Sequence, residues 1–431
     1  MIYCLNYHNM WPEICYNLTD GVFFDRRVKM HAGVGFSENP DTVMGGMQAA
    51  SEALKEAGRS GPCDLVLLFA TARHDAPTLR EAVASVVGRD VPIIGGASTG
   101  AISNTAFGYA GDQIILAAFW LDGSGYNLEI QAELTPGEEE EAGLELGRKL
   151  AGRGVRPDSN VLLFYDAINR IDDQVKMIMA TPLLRGLEKS LGFLPDLIGA
   201  GLQGDYSASP TMQWTGQGTV DHHALALTFS DDVRIDSVIM HGCRPATGYY
   251  TVTKADMQTI LEINGRPALS FMHELLGPAI PVEDYAFFLI FGINRGDKWG
   301  EFDEKSYASR LCLAIDKERE GIVMFEPDMV EGTQFQVMFR SLDLDYMPPR
   351  IERLFSGLDG RKPVFALYID CAGRAAAYSG ADLEDAVAVQ KTVAGRVPLV
   401  GLYTGVEIAS VEGVPRGLDW TGVFSLFSVP K

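Results

Sequence analysis

Three times along the chain an apolar run breaks at a glycine, and the same neighbours surround it each time. Residues 91–102 read VPIIGGASTGAI, residues 195–206 read PDLIGAGLQGDY, and residues 397–408 read VPLVGLYTGVEI. Each follows another apolar run at a similar remove: LVLLFA (65–70), VLLFYD (161–166) and VFALYID (364–370). Each is followed by a third: IILAAF (114–119), ALALTF (224–229) and VFSLFSV (423–429). Short apolar runs bounded by turn formers read as buried strands. A unit of strand, helix, strand, loop, strand therefore recurs three times, and the loops after the middle strands are equivalent positions with a shared job.

The intervening sequence adds elements. HAGVGF (31–36) reads as a strand. Asp41 then caps a helix in which Val43, Met47, Ala50, Leu54 and Ala57 step by four and three along one face. A second helix over Thr78–Val87 turns Leu79, Ala82, Val83 and Val86 inward. YNLEIQAEL (126–134) alternates as a strand, and Thr135-Pro136-Gly137-Glu138 has capping-box spacing with Pro at the first helical position. The acidic run Glu138–Glu141 suits a first helical turn, where the dipole favours negative charge. The second unit starts at Asn160 and the third at Pro363.

Near residue 240 the texture changes. HGCRPATGYYTVTKADMQTILEINGRPAL (241–269) reads as a turn, two strands joined at Ala255–Met257, and a helix from Pro267, with strand-rich sequence to about 345. Strands alternating with helices give an α/β class: repeated strand-helix-strand units forming two mixed-sheet domains, 30–240 and 241–431. Residues 1–29 match nothing in the repeats and read as a disordered or mis-started extension.

Charge and cysteines narrow the function. The 36 basic and 57 acidic residues leave a net charge of −21, which repels phosphate backbones and anionic membranes. Six cysteines, at 4, 15, 63, 243, 312 and 371, show no C-x-x-C or zinc spacing and read as reduced thiols in a cytoplasmic protein. No apolar stretch is long enough to span a bilayer, and the first residues lack the basic start and apolar run of a signal peptide.

Candidate chemistry gathers at the glycine turns. Gly199–Gly204 spells G-x-G-x-x-G, but DYSASPTMQWTGQG follows instead of the apolar helix that a dinucleotide site needs, so the glycines serve a permissive loop. Gly96-Ala97-Ser98-Thr99-Gly100 spells G-x-S-x-G, which would make Ser98 a hydrolase nucleophile. No amphipathic helix follows, and the counterparts of Ser98 by ungapped register are Leu202 and Thr404. His241 and Cys243 could serve as axial ligands of a haem, or simply shape a turn. Arg244, Arg374, Asp205 and Glu407 place charges beside turns. An Arg fork pairs a carboxylate and a carboxylate takes an ammonium, as an amino acid would need; salt bridges are the plainer reading. Tyr249, Tyr250 and Tyr403 could line a pocket wall or pack.

These residues resemble the FIST family, a sensory domain of bacterial signalling proteins with an N-terminal and a C-terminal part, and the likeness covers residues 31–431. GGASTGAI (95–102) is similar to the family's Gly-Cys-Ser-Thr-Ala-Gly-Glu-Ile pattern. GCRPATGYYTVTKA (242–255) is similar to its Gly-Cys-Arg-Pro segment followed by Thr-Val-Thr. GLYTGVEI (401–408) after DCAGRAAAY (370–378) is similar to its C-terminal signature. Ala101 stands where the family tends to carry Glu, with Asp205 and Glu407 as its ungapped counterparts, and Gly405-Val406 replaces the usual Tyr-Gly order. The resemblance implies a non-enzymatic domain that binds a small molecule and reports to a separate signalling protein, such as a histidine kinase or diguanylate cyclase. It carries ligand-binding roles onto Ser98, Thr99, Asp205, Cys243, Arg244, Cys371, Arg374, Tyr403, Thr404 and Glu407, with no resident cofactor. A haem-based gas sensor using His241 and a serine hydrolase using Ser98 are the alternatives.

Overall fold

A computed structural model describes residues 29–431 except 60, 123, 172, 173, 217 and 342. The expectation for residues 1–29 lies outside the described residues, apart from Lys29, which opens the first strand.

The first unit runs β1 (Lys29–Ser37), α1 (Thr42–Ala57), β2 (Leu65–Ala70), α2 (Ala76–Val87), β3 (Ile93–Ala97), a hairpin of β4 (Gly100–Ile102) and β5 (Phe107–Tyr109), and β6 (Ile114–Asp122). The second repeats it: β7 (Tyr126–Gln131), α3 (Glu139–Gly152), β8 (Asn160–Asp166), α4 (Ala180–Leu191), β11 (Asp196–Leu202), the hairpin β12 (Gln213–Gly216) and β13 (Thr219–Val220), and β14 (Ala224–Phe229). A small extra hairpin, β9 (Ile168–Ile171) and β10 (Gln174–Met177), precedes α4. The third unit opens with β15 (Arg234–Met240). After an insertion it resumes as α6 (Met347–Ser356), β24 (Lys362–Cys371), α8 (Asp385–Val393), β25 (Leu399–Thr404), the hairpin β26 (Val406–Val411) and β27 (Val414–Leu418), and β28 (Gly422–Val429). A one-turn helix, α7 (Ala376–Ser379), lies between β24 and α8. Each unit is thus longer than its three apolar runs, with a strand and a helix ahead of them.

The sheets follow one plan. Their orders are β1-β6-β2-β3, β7-β14-β8-β11 and β15-β28-β24-β25, with the two middle-unit strands parallel in each. The hairpin after each middle strand leaves its own unit. β4 pairs β25, β12 pairs β3, and β26 pairs β11. The three exchanges close a cycle, so no unit completes its sheet without a neighbour. The first glycine of each phrase lies inside the middle strand, where a Cβ would meet the carbonyl oxygen of the parallel neighbour, 2.0 Å from Leu68 for Gly95, 1.9 Å from Leu163 for Gly199 and 3.1 Å from Tyr368 for Gly401.

The inner faces of the three sheets share one core. Phe69 meets Phe164 at 5.2 Å, Phe119 meets Phe365 at 4.9 Å, and Phe229 meets Phe427 at 5.9 Å, each pair joining two sheets. Burying each such ring contributes about 1.5–3 kcal/mol. Helices cover the outer faces. Asp41 caps α1, its Oδ1 accepting from the Met44 N–H at 2.9 Å. The buried face of α1, however, is Gly45, Gly46, Ala49, Ala50 and Ala53, and Val43 and Met47 stay exposed. The cause lies in β1: a Cβ on Gly35 would sit 1.8 Å from the Ala49 carbonyl oxygen, so helix and strand backbones touch and only small residues fit. The expected capping box also fails. α3 starts at Glu139 with no side-chain cap, and the Glu139 carboxylate instead takes the N–H groups of Gly137 and Met179.

The insertion in the third unit comprises β16 (Cys243–Pro245), β17 (Tyr250–Asp256), β18 (Thr259–Ile263), β19 (Arg266–Pro267), α5 (Ala268–Leu276), β20 (Ile290–Asn294), β21 (Tyr307–Asp316), β22 (Gly321–Met324) and β23 (Gln334–Arg340). Strands β17-β18-β22-β21-β20-β23 form a ring, closed because β23 pairs both β20 and β17. Closure leaves those strands without a free edge. The barrel is tied to the second unit by Glu326, buried, whose carboxylate accepts from Ala180 N–H at 3.0 Å and Thr181 N–H at 2.8 Å. Glu326 thereby caps α4, which lacks a side-chain cap of its own. Among the described residues no helix is long and apolar enough to cross a membrane.

Candidate functional site

The three glycine loops meet. Thr99 donates its N–H to the Tyr403 carbonyl at 3.0 Å and its hydroxyl to the Gln203 carbonyl at 3.2 Å. The Thr404 hydroxyl donates to the Gly201 carbonyl, and Gly405 N–H reaches the same oxygen at 3.2 Å. Ser98, Thr99 and Thr404 are fully buried. These loops bind one another. The Ser98 hydroxyl is buried with no hydrogen-bond partner, and none of the contacts described for it supplies a base.

Strand register corrects one equivalence. Ala101 pairs Leu402, Gln213 pairs Gly96, and Glu407 pairs Ala200. The counterpart of Ala101 and Glu407 is therefore Gln213, because the second loop is longer. Gln213 Oε1 accepts from the His223 N–H at 3.0 Å, and Glu407 Oε2 from the Thr421 N–H at 3.1 Å. Both side chains tether the residue just ahead of their own unit's last strand. Asp205 instead shapes the longer loop, its Oδ1 accepting from Ser207 and Ser209 N–H at 2.8 and 3.0 Å.

The chemistry concentrates at the ends of the parallel strands of the third unit. One row of paired residues crosses that sheet: Met240, Gly422, Asp370, Tyr403, Gly100 and Tyr109. Paired residues share a face, so Asp370 and Tyr403 stand side by side between two glycines. The glycines are required. A Cβ on Gly422 would lie 2.5 Å from the Tyr368 hydroxyl, and one on Gly100 2.6 Å from Tyr109 Cβ. Tyr109 packs edge-on against Tyr403 at 5.4 Å. Above them Tyr206 stacks on Tyr378 at 3.9 Å, and both rings neighbour Tyr109. Glu384 takes the Tyr109 hydroxyl at 2.8 Å and the Ala376 N–H at 2.9 Å. This holds the segment 376–384, which turns at Gly380 with φ of 73°, over the strand ends.

Arg374 organises the floor. Its Nε and Nη2 donate to Asp385, its Nη1 to the carbonyls of His241 (2.9 Å) and Trp420 (3.2 Å), and its Nη2 also to the Tyr346 hydroxyl (2.8 Å). Every N–H is used, so none remains for a ligand carboxylate. Asp370 differs. It is fully buried, with Arg374 Nε 3.2 Å away as an ion-pair contact, yet neither of its oxygens accepts a well-formed hydrogen bond. Burial, with the Asp385 charge adding to it, pushes the Asp370 carboxyl well above its ordinary range despite Arg374. The Tyr403 hydroxyl and Glu384 Oε2 are likewise buried without partners. Four polar atoms left open in one region need an explanation.

The remaining sequence candidates fall beside this cluster or away from it. His241 is buried, its Nδ1 accepting from Cys243 N–H at 3.0 Å and its Nε2 meeting the Glu304 carbonyl at 3.2 Å. Burial, with Arg374 and Arg350 nearby, pushes its pKa down to about 3. Both ring nitrogens are occupied, which leaves no lone pair for a haem iron. Cys243 and Cys371 are buried, and burial raises both thiols, the opposite of a reactive thiolate. Arg244 is exposed on β16 with its guanidinium over Phe302, away from Asp370. Tyr249 and Tyr250 pack on barrel neighbours, Trp299 and Phe271. Sequence reasoning singled out none of Asp370, Tyr109, Tyr206, Tyr378, Glu384 and Asp385. Asp370 carried a signal, a carboxylate at the end of an otherwise apolar run. A cleft of about 1180 Å³ lies between α3, α4 and the barrel, and none of the sequence candidates lines it. Among the described residues no group of three His, Cys, Asp or Glu could hold a metal ion.

Known families match in two parts whose junction falls inside the barrel insertion. A model of the FIST N domain matches residues 64–266, and a model of the FIST C domain matches residues 268–410. An uncharacterized protein of Mycobacterium tuberculosis (strain ATCC 25618 / H37Rv), Rv0628c, is 30% identical over 194 residues, 44% of this chain and 50% of the relative. An uncharacterized protein of Mycobacterium bovis, Mb0898c, is 29% identical over 193 residues, with the same shares. The chain spans about half the length of the curated relatives it matches. A solved cyanuric acid hydrolase from A. caulinodans aligns over 94% of this chain and 100% of its own, at 9% identity and a TM-score of 0.37.

Proposed function

The chain belongs to the FIST family of sensory domains in signal transduction, and on that premise we propose that it binds a small amine-bearing molecule at Asp370 and signals through a separate protein. One observation carries the reading: a fully buried carboxyl, Asp370, whose oxygens accept no hydrogen bond of good geometry although the Tyr368 hydroxyl lies near, in the same electrostatic cluster as the open Tyr403 hydroxyl and Glu384 Oε2. An ammonium or amide donor would satisfy all three. The setting supports an ammonium. Asp385 and Glu384 lie beside Asp370 against the one Arg374, an arriving cation would draw the raised Asp370 carboxyl toward its ionised form, and tyrosine faces attract ammonium groups. Ligands of α/β sheets bind outside the carboxyl ends of parallel strands, which is where β24 and β25 end.

The role is binding without chemistry. The contacts described at Asp370 include no activated nucleophile, and the Cys371 thiol is held protonated. Ligand capture beneath segment 376–384 would change the order of that segment, whose Tyr378 and Leu383 are exposed to a partner. A histidine kinase or diguanylate cyclase fits as the kind of output protein that the family serves. The test is a thermal-shift screen of amino acids, simple amines and carboxylates. Amines should stabilise the wild type, because a ligand that binds only the native state raises its stability. Asp370→Asn should abolish the shift and Tyr403→Phe should weaken it. A stabilising amine whose effect survives Asp370→Asn would refute the assignment.

A further inference from the structure

A second charged site lies away from Asp370, in a cleft of about 240 Å³ where three pieces of the chain meet. Its walls are Thr181, Arg185 and Glu188 from α4, Arg310 and Asp328 from the barrel, and Val414–Arg416 from the exchanged hairpin β26–β27. Asp328 is shared. Arg310 donates to both of its oxygens, at 2.6 and 2.7 Å, and Arg295 approaches the same carboxylate at 3.5 Å. The third guanidinium, Arg416, has no such partner. Its Nε is buried and makes no hydrogen bond. Burial opposes ionisation of Asp328, yet Arg310 and Arg295 hold its carboxyl below the ordinary value. It therefore stays a single negative charge among Arg295, Arg310 and Arg416. Burial and mutual repulsion push Arg295 and Arg416 below the usual guanidinium range. Neighbouring Glu326 and Asp419 also act on Arg310, but neither lines the cleft, so the guanidinium that faces it without a described ion-pair partner is Arg416.

From this geometry we infer that the cleft between α4, the barrel and the β26–β27 hairpin is a binding site for a compact oxyanion, a phosphate or a carboxylate, received by Arg416; Arg185 at the mouth is already paired with Glu140 at 3.4 Å. A buried N–H donor on a guanidinium with no described ion-pair partner is what such an anion satisfies, with charge-assisted bonds stronger than neutral ones. The cleft volume suits a small anion. The location gives it a consequence: an anion there would bridge the second unit, the third-unit hairpin and the barrel, and so stiffen the joint between the two family halves. The protein as a whole carries a charge of −21, so an anion finds this cleft against the general field. Glu188, exposed on α4, is the lining carboxylate that competes with it for Arg416.

The test is the melting temperature of the full chain against inorganic phosphate and against succinate, with ionic strength held constant by sodium chloride. The expected result is a saturable rise with at least one of the two, and which one it is separates phosphate from carboxylate ligands. Arg416→Gln should weaken the apparent affinity at least about tenfold. Glu188→Gln leaves the buried core untouched and should tighten it, which keeps the test decisive if Arg416→Gln folds poorly. The proposal is overturned if neither anion gives a saturable rise beyond that of chloride. It is overturned equally if the rise is unchanged in Arg416→Gln, or if Glu188→Gln leaves the affinity as it was.

Discussion

Replacing Arg374 with Met removes the hub of the buried network while keeping an apolar stem of similar length. The guanidinium donates to Asp385, to the His241 and Trp420 carbonyls and to the Tyr346 hydroxyl. Its loss leaves Asp385 as a buried carboxylate beside the Asp370 carboxyl, with no described cation paired to either. Breaking a buried pair by removing one partner costs about 3–5 kcal/mol, and the two carbonyls lose donors as well. We expect a loss of about 4 kcal/mol, a large share of the roughly 5–15 kcal/mol that holds a domain folded. Urea unfolding followed by tryptophan fluorescence would measure it, since Trp420 lies beside Arg374. A second variant separates charge from packing. Arg374→Met with Asp385→Leu removes the stranded carboxylate and should recover at least about half of the loss. A single-variant loss below about 1 kcal/mol would refute the picture of a desolvated network. So would a double variant no more stable than the single one.

Three further outcomes follow from particular contacts. Burial raises the Asp419 carboxyl from 3.8 to about 7, so the folded state binds its proton more tightly than the unfolded chain. The stability this contributes is complete below about pH 4 and is lost as the pH rises through 7. That is a loss of roughly 4 kcal/mol, so stability should fall less steeply from pH 4.5 to 8 in Asp419→Asn than in the wild type. Ser98→Ala removes a buried hydroxyl with no partner and should be neutral or slightly stabilising by thermal melt, and a fluorophosphonate should not label wild-type Ser98; stoichiometric labelling would revive the hydrolase reading. Glu326→Ala uncaps α4 and should cost about 1–2 kcal/mol in urea unfolding, with Glu326→Gln losing less; equal losses would show that the cap is not what Glu326 provides.

The repeat was the most legible feature of the sequence because each unit needs the same buried strands, and apolar runs record burial directly. The exchange of hairpins was not legible. β4, β12 and β26 are short, and nothing in GAI or QWTG says which sheet they join. The missed face of α1 has a similar cause, since Val43 and Met47 carry the hydrophobic period but the contact is set by glycines in β1. At the site, Arg374 and Tyr403 could be picked from the family signature. Their roles could not, because an Arg beside a turn looks the same whether it waits for a ligand or is saturated by its own fold. Tyr109, Tyr206 and Tyr378 come from three distant stretches and meet only through the exchange. Asp205 illustrates the opposite error, an ungapped alignment extended across a loop that had lengthened.

The central claim is that a small amine binds at Asp370 beneath segment 376–384. Hydrogen-exchange mass spectrometry of the full chain, with and without the best stabilising amine from the screen, tests it most directly. The account predicts that protection rises in 370–384 and in the strands that carry Tyr109 and Tyr403, with smaller changes elsewhere. Protection confined to the large cleft between α3, α4 and the barrel, with 370–384 unchanged, would contradict it.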